Sequence, residues 1–436
     1  MAVNPINSEV DKQIEQAVAA LSKAGCEQGL FSHTFSFCEY WLDERPSYSL
    51  TACYFVANIN ASMELHFCVA PTADISDAVS SLTSLDDLQV FCERMGLPLF
   101  SDRKPIPLVP LSIKKPWGQE VWYTGIEARG VAQAGVKQQL SLLPWVLAAA
   151  PNRLTCFRHR ELILLKILDP LAEAVKGDLY FELHQKKREV YVVTAIDEKA
   201  WPDGVGGIRF GFDPDVVGQY PDEQSFRQSY LSAVKQYEIV RREIDALSER
   251  GINSLPAGLL ARESVLRSNI EAYTQLKPLS VGDVVQVPCF TPHSLLHGVR
   301  TVEFQTPVYE RLILSFAQQV LTQSHWDTEQ AIGKMTVSQP PVPIFEILDN
   351  TGGVLVERIV DFEDFEVRRI KLPPGADFQL ALEADYGLLM PVSGRLDLAG
   401  VMIEAEQAVL LPNTWIGCQV SNFGGFELCF LLAYPK

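Results

Sequence analysis

The chain has 436 residues, 47% of them apolar and 21% charged, with a formal charge of −17. Such a length implies more than one domain with ample core. The acidic balance excludes non-specific nucleic-acid binding and docking on anionic membranes, so an anionic substrate would need its own local cluster of Lys and Arg. Nine cysteines are scattered without a Cys-x-x-Cys spacing. Several, such as Cys53, Cys68 and Cys429, sit in apolar runs. Buried, reduced thiols in a cytoplasmic protein are therefore expected. Met1-Ala2-Val3-Asn4-Pro5 does not read as a signal peptide, and no apolar run approaches a membrane span.

In chain order, residues 7–24 predict an amphipathic helix with Ile14, Val18 and Leu21 on one stripe. Strand-like runs follow at 34–42, 50–59 and 63–70, then a helix over about 85–95. Ser84 is its candidate N-cap, and Asp86 and Asp87 favour its first turn. This makes residues 1–102 an α+β domain without a chemical motif. Residues 103–110 hold three prolines and read as an extended linker. Residues 103–198 with 279–337 are expected to form one β-domain, interrupted by 199–278. Within that interruption, 199–222 reads as Gly/Pro/Asp-rich loop. A helical hairpin follows: Phe226, Tyr230, Val234, Tyr237, Ile244 and Leu247 recur at helical spacing, as do Leu259, Leu266, Ile270 and Tyr273. After a second linker at 338–343, short strands punctuated by Gly and Pro predict a β-barrel or sandwich over 338–436. That last region contains no His.

Four side chains stand out chemically. Glu182 and His184 are two apart on a strand-like run and point to one face. Glu189 follows closely. His293 ends a second run, Gly282-Asp283-Val284-Val285-Gln286-Val287-Pro288-Cys289-Phe290-Thr291-Pro292-His293. Two imidazoles and two carboxylates suit a divalent transition metal, with positions left open for substrate. His297 reads as a loop residue at the domain mouth, His159 as a surface residue, and His33, His66 and His325 lack suitable neighbours.

This pattern resembles the two motifs of a cupin, and more narrowly the phosphomannose isomerases. The run Leu162-Ile163-Leu164-Leu165-Lys166-Ile167-Leu168-Asp169 resembles the family's buried Leu/Ile/Lys strand ahead of its Ser-Leu-Gln-x-His strand. Lys115-Pro116-Trp117-Gly118 is similar to its opening motif, and Leu279 to His293 to its Gly-Asp…Pro-x-Gly-x-x-His strand pair. Glu303-Phe304-Gln305 with Tyr309-Glu310-Arg311-Leu312 resembles its Glu-x-Gln…Thr-Tyr-Arg-Leu block. The likeness covers roughly residues 110–436.

The resemblance implies a mainly β, double-cupin fold with an α-helical insertion, a metal-free second cupin, and the N-terminal α+β domain outside it. It implies Zn2+ or another divalent transition metal held by Glu182, His184, Glu189 and His293. Arg311, Lys115, Lys187 and Glu303 would complete a site that isomerises a sugar phosphate, mannose 6-phosphate to fructose 6-phosphate, through an enediol. A homodimer stays open, and no nucleic-acid or membrane partner is expected. The sequence departs from the family in four places. Glu182 stands where the family has Gln, which makes the site more anionic. Phe290 stands where it has Gly. The loop between His184 and Glu189 is short, and no Lys follows Arg311 before Ala317. Two further functions fit the same residues. One is an iron-dependent cupin oxygenase using His184, His293 and one Glu. The other is a sugar-binding protein without turnover.

Overall fold

The computed structural model describes residues 5–59, 62–79, 81–151, 162–252, 254–321 and 323–436. The chain is mainly β and divides into two compact units. One comprises Met1–Leu111, Trp122–Leu165 and Phe345–Lys436, the other Ser112–Val121 and Lys166–Ile344. Every described cysteine is a free thiol, and no described helix is long and apolar enough to cross a membrane.

The first unit opens with the helix Pro5–Lys23 and an antiparallel sheet whose strands Gln28–Cys38, Ser47–Ile59, Ser62–Pro71 and Phe100–Ser101 lie in sequence order. Alternation buries Cys53 and Phe55 with Cys68 and Ala70 against Leu88, Phe91 and Cys92 of the helix Leu85–Met95. That helix begins as its sequence predicts. The Asp87 amide donates to Ser84 Oγ at 3.1 Å and the Ser84 amide to Asp87 Oδ2 at 3.0 Å, a reciprocal capping box. The helix Thr72–Val79, which its sequence did not signal, precedes it.

The same unit contains a nine-stranded sheet in which Gln139–Leu142, Gln133–Val136 and Ile106–Val109 continue into strands from the C-terminal region. Ile106–Val109 pairs with Ala408–Pro412, and Tyr386–Ser393, Leu428–Pro435, Phe365–Leu372, Val354–Asp361 and Glu346–Thr351 complete the order. Their inward side chains, among them Ile370, Leu372, Leu389, Leu411, Phe430 and Leu432, form one core.

The second unit is built on two sheets. Six strands run in the order Val284–Val287, Glu189–Ile196, Val299–Gln305, Leu164–Pro170, Gly118–Trp122, Leu111–Lys115. Five run in the order Thr274–Leu279, Gly206–Phe212, His293–Leu295, Phe181–Leu183, Leu312–Ser315. Tyr191, Val193, Val285 and Val287 of the first sheet share a core with Leu183, Ile208, Phe210 and Leu295 of the second. The helices Glu223–Glu249 and Ala257–Glu271 lie in the chain between Gly206–Phe212 and Thr274–Leu279, which pair with each other. Phe226, Tyr230, Val234 and Tyr237, on one stripe of the first helix, are buried.

Residues 206–212, read as loop from their glycines, are instead a buried strand. The glycines serve packing. A Cβ on Gly206 would sit 2.4 Å from Val299 Cγ2, and Gly211 at φ 72° forms the bulge between Arg209 and Phe212.

Gly118 ends the Lys115-Pro116-Trp117-Gly118 motif at φ 150°, and a Cβ there would lie 2.3 Å from the Asp169 carbonyl oxygen. The Gly118→Ala variant is therefore expected to lose about 1–3 kcal/mol of stability. Denaturant unfolding reads this directly, and an unchanged midpoint and slope would refute the close approach.

Candidate metal centre

The Phe181–Leu183 and His293–Leu295 strands run antiparallel with Glu182 directly opposite His293, so both side chains emerge on one face. His184, two residues after Glu182, emerges on the same side. Ligand-type atoms of Glu182, His184 and His293 all lie within 4.8 Å of one another. The two imidazole centroids are 5.2 Å apart, and both rings are buried.

Hydrogen bonds assign the tautomers. His184 Nδ1 lies 2.9 Å from the Glu310 carbonyl oxygen, and His293 Nδ1 lies 3.0 Å from that of Thr291. A carbonyl only accepts, so each Nδ1 carries a proton and donates, and in the neutral ring each Nε2 is left with the lone pair. Both Nε2 atoms and Glu182 Oε2 are buried without a hydrogen-bond partner among the described residues. Three orphaned acceptors converging on one point would be costly unless a cation fills it, and two imidazoles with a carboxylate fit a divalent transition metal.

Glu189 enters from the six-stranded sheet. Its Oε2 is 3.1 Å from His293 Nε2, and its Oε1 is 3.5 Å from His184 Nε2. The same carboxylate accepts from the Tyr191 hydroxyl at 2.6 Å and pairs with Lys187 Nζ at 2.6 Å. It therefore stands beside the three converging ligands, already tied to a phenol and a cation. Burial would raise the Glu189 carboxyl, but Lys187 together with the His184 and His293 rings outweighs it and holds it well below the usual carboxylate range. Burial and Lys187 lower His184, which favours the neutral form a metal requires. Burial would lower His293 too, but the Glu189 carboxylate 3.1 Å from its Nε2 raises it, so this ring gives up its Nε2 proton less readily than His184 does when a cation binds.

The register of the six-stranded sheet extends this polar interior. Glu189 lies opposite Gln305 and Tyr191 opposite Glu303, so all four share a face. Glu303 is paired with Lys166 Nζ, 3.2 Å from its Oε2. Burial pushes the Glu303 carboxyl up to about 8 despite the Lys166 charge. Burial opposes the charge on Lys166, but Glu303, Glu120 and Glu189 outweigh it and keep the ammonium protonated.

The remaining expected residues divide by position. Arg311 precedes the Leu312–Ser315 strand, with its guanidinium 4.3 Å over the Tyr180 ring and Nε 3.8 Å from Glu182 Oε2. Of the run 186–188 only Lys187 is buried; Lys186 points to solvent. Lys115 pairs with Glu120 at 3.1 Å. His297 bonds to Asp178 at 2.7 Å and stacks on Trp201, apart from the converging ligands. His66 pairs with Glu64 and His325 with Asp327. His159 lies outside the described residues.

Sequence reasoning assigned no role to Lys166, Tyr191 or Glu310. For Lys166 the signal was a lone cation in an otherwise apolar strand. Tyr191, two residues after Glu189 on the same strand, shares its face. Glu310 had no signal, because its part is three-dimensional. Its carbonyl fixes His184, and its Oε1 accepts from the Gln185 and Lys186 amides at 2.5 and 2.7 Å.

No protein-family profile matches the sequence, and no curated protein does either. Solved structures do match. The mannose 6-phosphate isomerase of Bacillus subtilis shares 12% identity at a TM-score of 0.55, covering 76% of this chain and 100% of that one. A point mutant of phosphomannose isomerase from Salmonella typhimurium shares 14% at 0.55, covering 76% and 99%. A mannose 6-phosphate isomerase bound with zinc and yttrium shares 13% at 0.54, over 76% and 99%. The fold is phosphomannose-isomerase-like. At these identities the likeness concerns the fold alone.

Two substitutions test the metal centre. His184→Ala should abolish stoichiometric binding of zinc, read by metal analysis after dialysis. Glu310→Ala, which removes the clamp on 185–186 and no ligand, should weaken metal affinity by about 10–100-fold in competition with a chromophoric chelator. Wild-type affinity in either variant would contradict the assignment.

Proposed function

We propose that the chain is a metal-dependent aldose–ketose isomerase of a sugar phosphate, with mannose 6-phosphate and fructose 6-phosphate as its pair. The observation that carries this reading is the convergence of His184 Nε2, His293 Nε2 and Glu182 Oε2 beside a row of buried, paired Lys and Glu side chains. We read the scaffold as two cupin domains with the helices 223–271 inserted in the first, and the second as metal-free. The limits 199–278 for the insertion and 338–436 for the second cupin are part of this proposal, whereas residues 103–111 and 122–165, expected with the first cupin, lie in the compact unit of the C-terminal strands.

In this reading Glu182, His184 and His293 hold a divalent transition metal such as zinc, with Glu189 as fourth ligand. The bound ion would supply Lewis acidity toward the substrate's oxygens. The chain's own groups do the rest. Near the ligands, the cations Lys115, Lys166, Lys187 and Arg311 face the carboxylates Glu120, Glu182, Glu189 and Glu303. With Glu303 ionised the two sets balance, and a bound divalent ion would leave the site net positive, which suits a dianionic phosphate ester. Arg311 reaches Glu182 while its guanidinium stacks on Tyr180, so its plane is set before substrate arrives. Lys166 is held charged at the oxygens that gain charge in the enediol. Glu303, raised to about 8, is placed to take and return the proton moved between adjacent carbons. Aldose–ketose isomerisation needs no redox partner, and the buried cations favour it over the oxygenase reading.

The test is turnover of mannose 6-phosphate by metal-loaded protein in a coupled assay for fructose 6-phosphate. Lys166→Ala and Arg311→Ala are each expected to lower kcat/KM by about 10²–10⁴-fold while leaving metal content unchanged. Glu303 is charged only above its raised value, so kcat/KM should climb as pH rises through about 8, and Glu303→Gln should remove both that limb and most activity. Metal-loaded protein that turns over no sugar phosphate would leave binding without catalysis in its place.

A further inference from the structure

In the C-terminal β-region, the Phe365–Leu372 strand presents Ile370 and Leu372 to an apolar core, as expected of an inward face. Glu366 and Arg368, at two-residue spacing on that face, also point inward. Tyr434, opposite Glu366 in register on the last strand, joins them. These charged and aromatic groups line a cavity of about 400 Å³ together with Phe378, Gln379, Glu383 and Lys436. That volume lies within the roughly 300–1,000 Å³ of small-molecule sites.

The lining is ordered in a particular way. Arg368 Nε donates to Glu366 Oε1 at 2.7 Å, and the guanidinium carbon lies 4.8 Å from the Tyr434 ring centre. These two contacts fix the guanidinium plane, while Nη1 and Nη2 have no hydrogen-bond partner among the described residues. Glu366 is buried and also faces Arg358 at 3.4 Å. The Tyr434 hydroxyl and the polar ends of Gln379 and Glu383 likewise make no side-chain hydrogen bond among the described residues.

We propose that this cavity binds an uncharged polyol of monosaccharide size. The Arg368 charge is already met by Glu366, and that of Lys436 by Asp361, so no surplus charge recruits an ion. What is left open is a mixture of donors and acceptors on planar or ring-bearing side chains. Nη1, Nη2 and the Gln379 amide nitrogen donate, Glu383 accepts, and the Tyr434 hydroxyl does both. Adjacent hydroxyls, each donor and acceptor at once, match such a set. Phe378, with the apolar wall of Val356, Ile370 and Leu432, offers a surface for the carbon-bound face of a ring. A phosphate ester or carboxylate would instead meet Glu366 and Glu383, with a guanidinium and an ammonium that are both already paired. The cavity belongs to the compact unit that does not contain the metal centre, so its occupancy is independent of the isomerase reading.

The experiment is titration of the full chain with D-mannose, D-glucose and myo-inositol, followed by saturation-transfer NMR and calorimetry. At least one should bind saturably with a dissociation constant on the order of 1 mM. Arg368→Ala should weaken that binding about tenfold or more. Gln379→Ala, at an exposed side chain that supports nothing else, should weaken it several-fold and guards against a folding defect in the first variant. His184→Ala should leave it unchanged. Absence of saturable binding, indifference to both cavity variants, loss of the signal in His184→Ala, or tighter binding of inorganic phosphate or glycine than of any polyol would each overturn the proposal.

Discussion

The carbonyl oxygens of Glu310 and Thr291 accept hydrogen bonds from the Nδ1 atoms of His184 and His293, and the character of the site follows from those two contacts. They decide which nitrogen keeps its proton and therefore which one faces inward as a base. Backbone carbonyls do this more rigidly than side chains, because their positions are set by the strands they flank. Glu310 strengthens the arrangement by binding the amides of 185 and 186, so a single residue ties His184 and the turn after it to the backbone next to Arg311.

Around this point the unit buries more charge than stability alone favours. Removing one partner of a buried ion pair costs on the order of 3–5 kcal/mol, whereas replacing both by apolar groups is often neutral or better. Lys166 with Glu303 and Lys187 with Glu189 are therefore poor choices for a structural interior and good ones for a dry reaction chamber. The Tyr191 hydroxyl, which burial and Glu189 keep protonated, completes the satisfaction of Glu189. The Arg368–Glu366 pair in the other unit is arranged differently: one edge of the guanidinium is committed and the other is left open.

Much of the second unit was legible in the sequence. Period-two spacing placed Glu182 and His184 on one face, and helical spacing found Phe226, Tyr230, Val234 and Tyr237. Ser84 and Asp87 announced a helix start that the capping box bears out. What stayed hidden was pairing between distant segments. Nothing in residues 106–109 names Ala408–Pro412 as their neighbour, and glycine at 206, 207 and 211 looks the same whether it loosens a loop or lets strands approach. Phe290 is the reverse case. It adopts φ 67°, a conformation glycine would advertise, while its amide donates to the His184 carbonyl at 2.6 Å. Its place where the resembling family has Gly was the one hint of a strained turn beside the site.

The helices Glu223–Glu249 and Ala257–Glu271 stand in the chain between Glu182 and its strand partner His293. During synthesis, then, the ribosome delivers Glu182, His184 and Glu189 long before the residue that closes the cluster. Until the His293 strand emerges and slots between Gly206–Phe212 and Phe181–Leu183, the nascent chain carries two carboxylates and one imidazole with no chamber around them. The helical excursion is a delay line, and in the metal-binding reading capture of the ion becomes a late event, coupled to completion of the sheet.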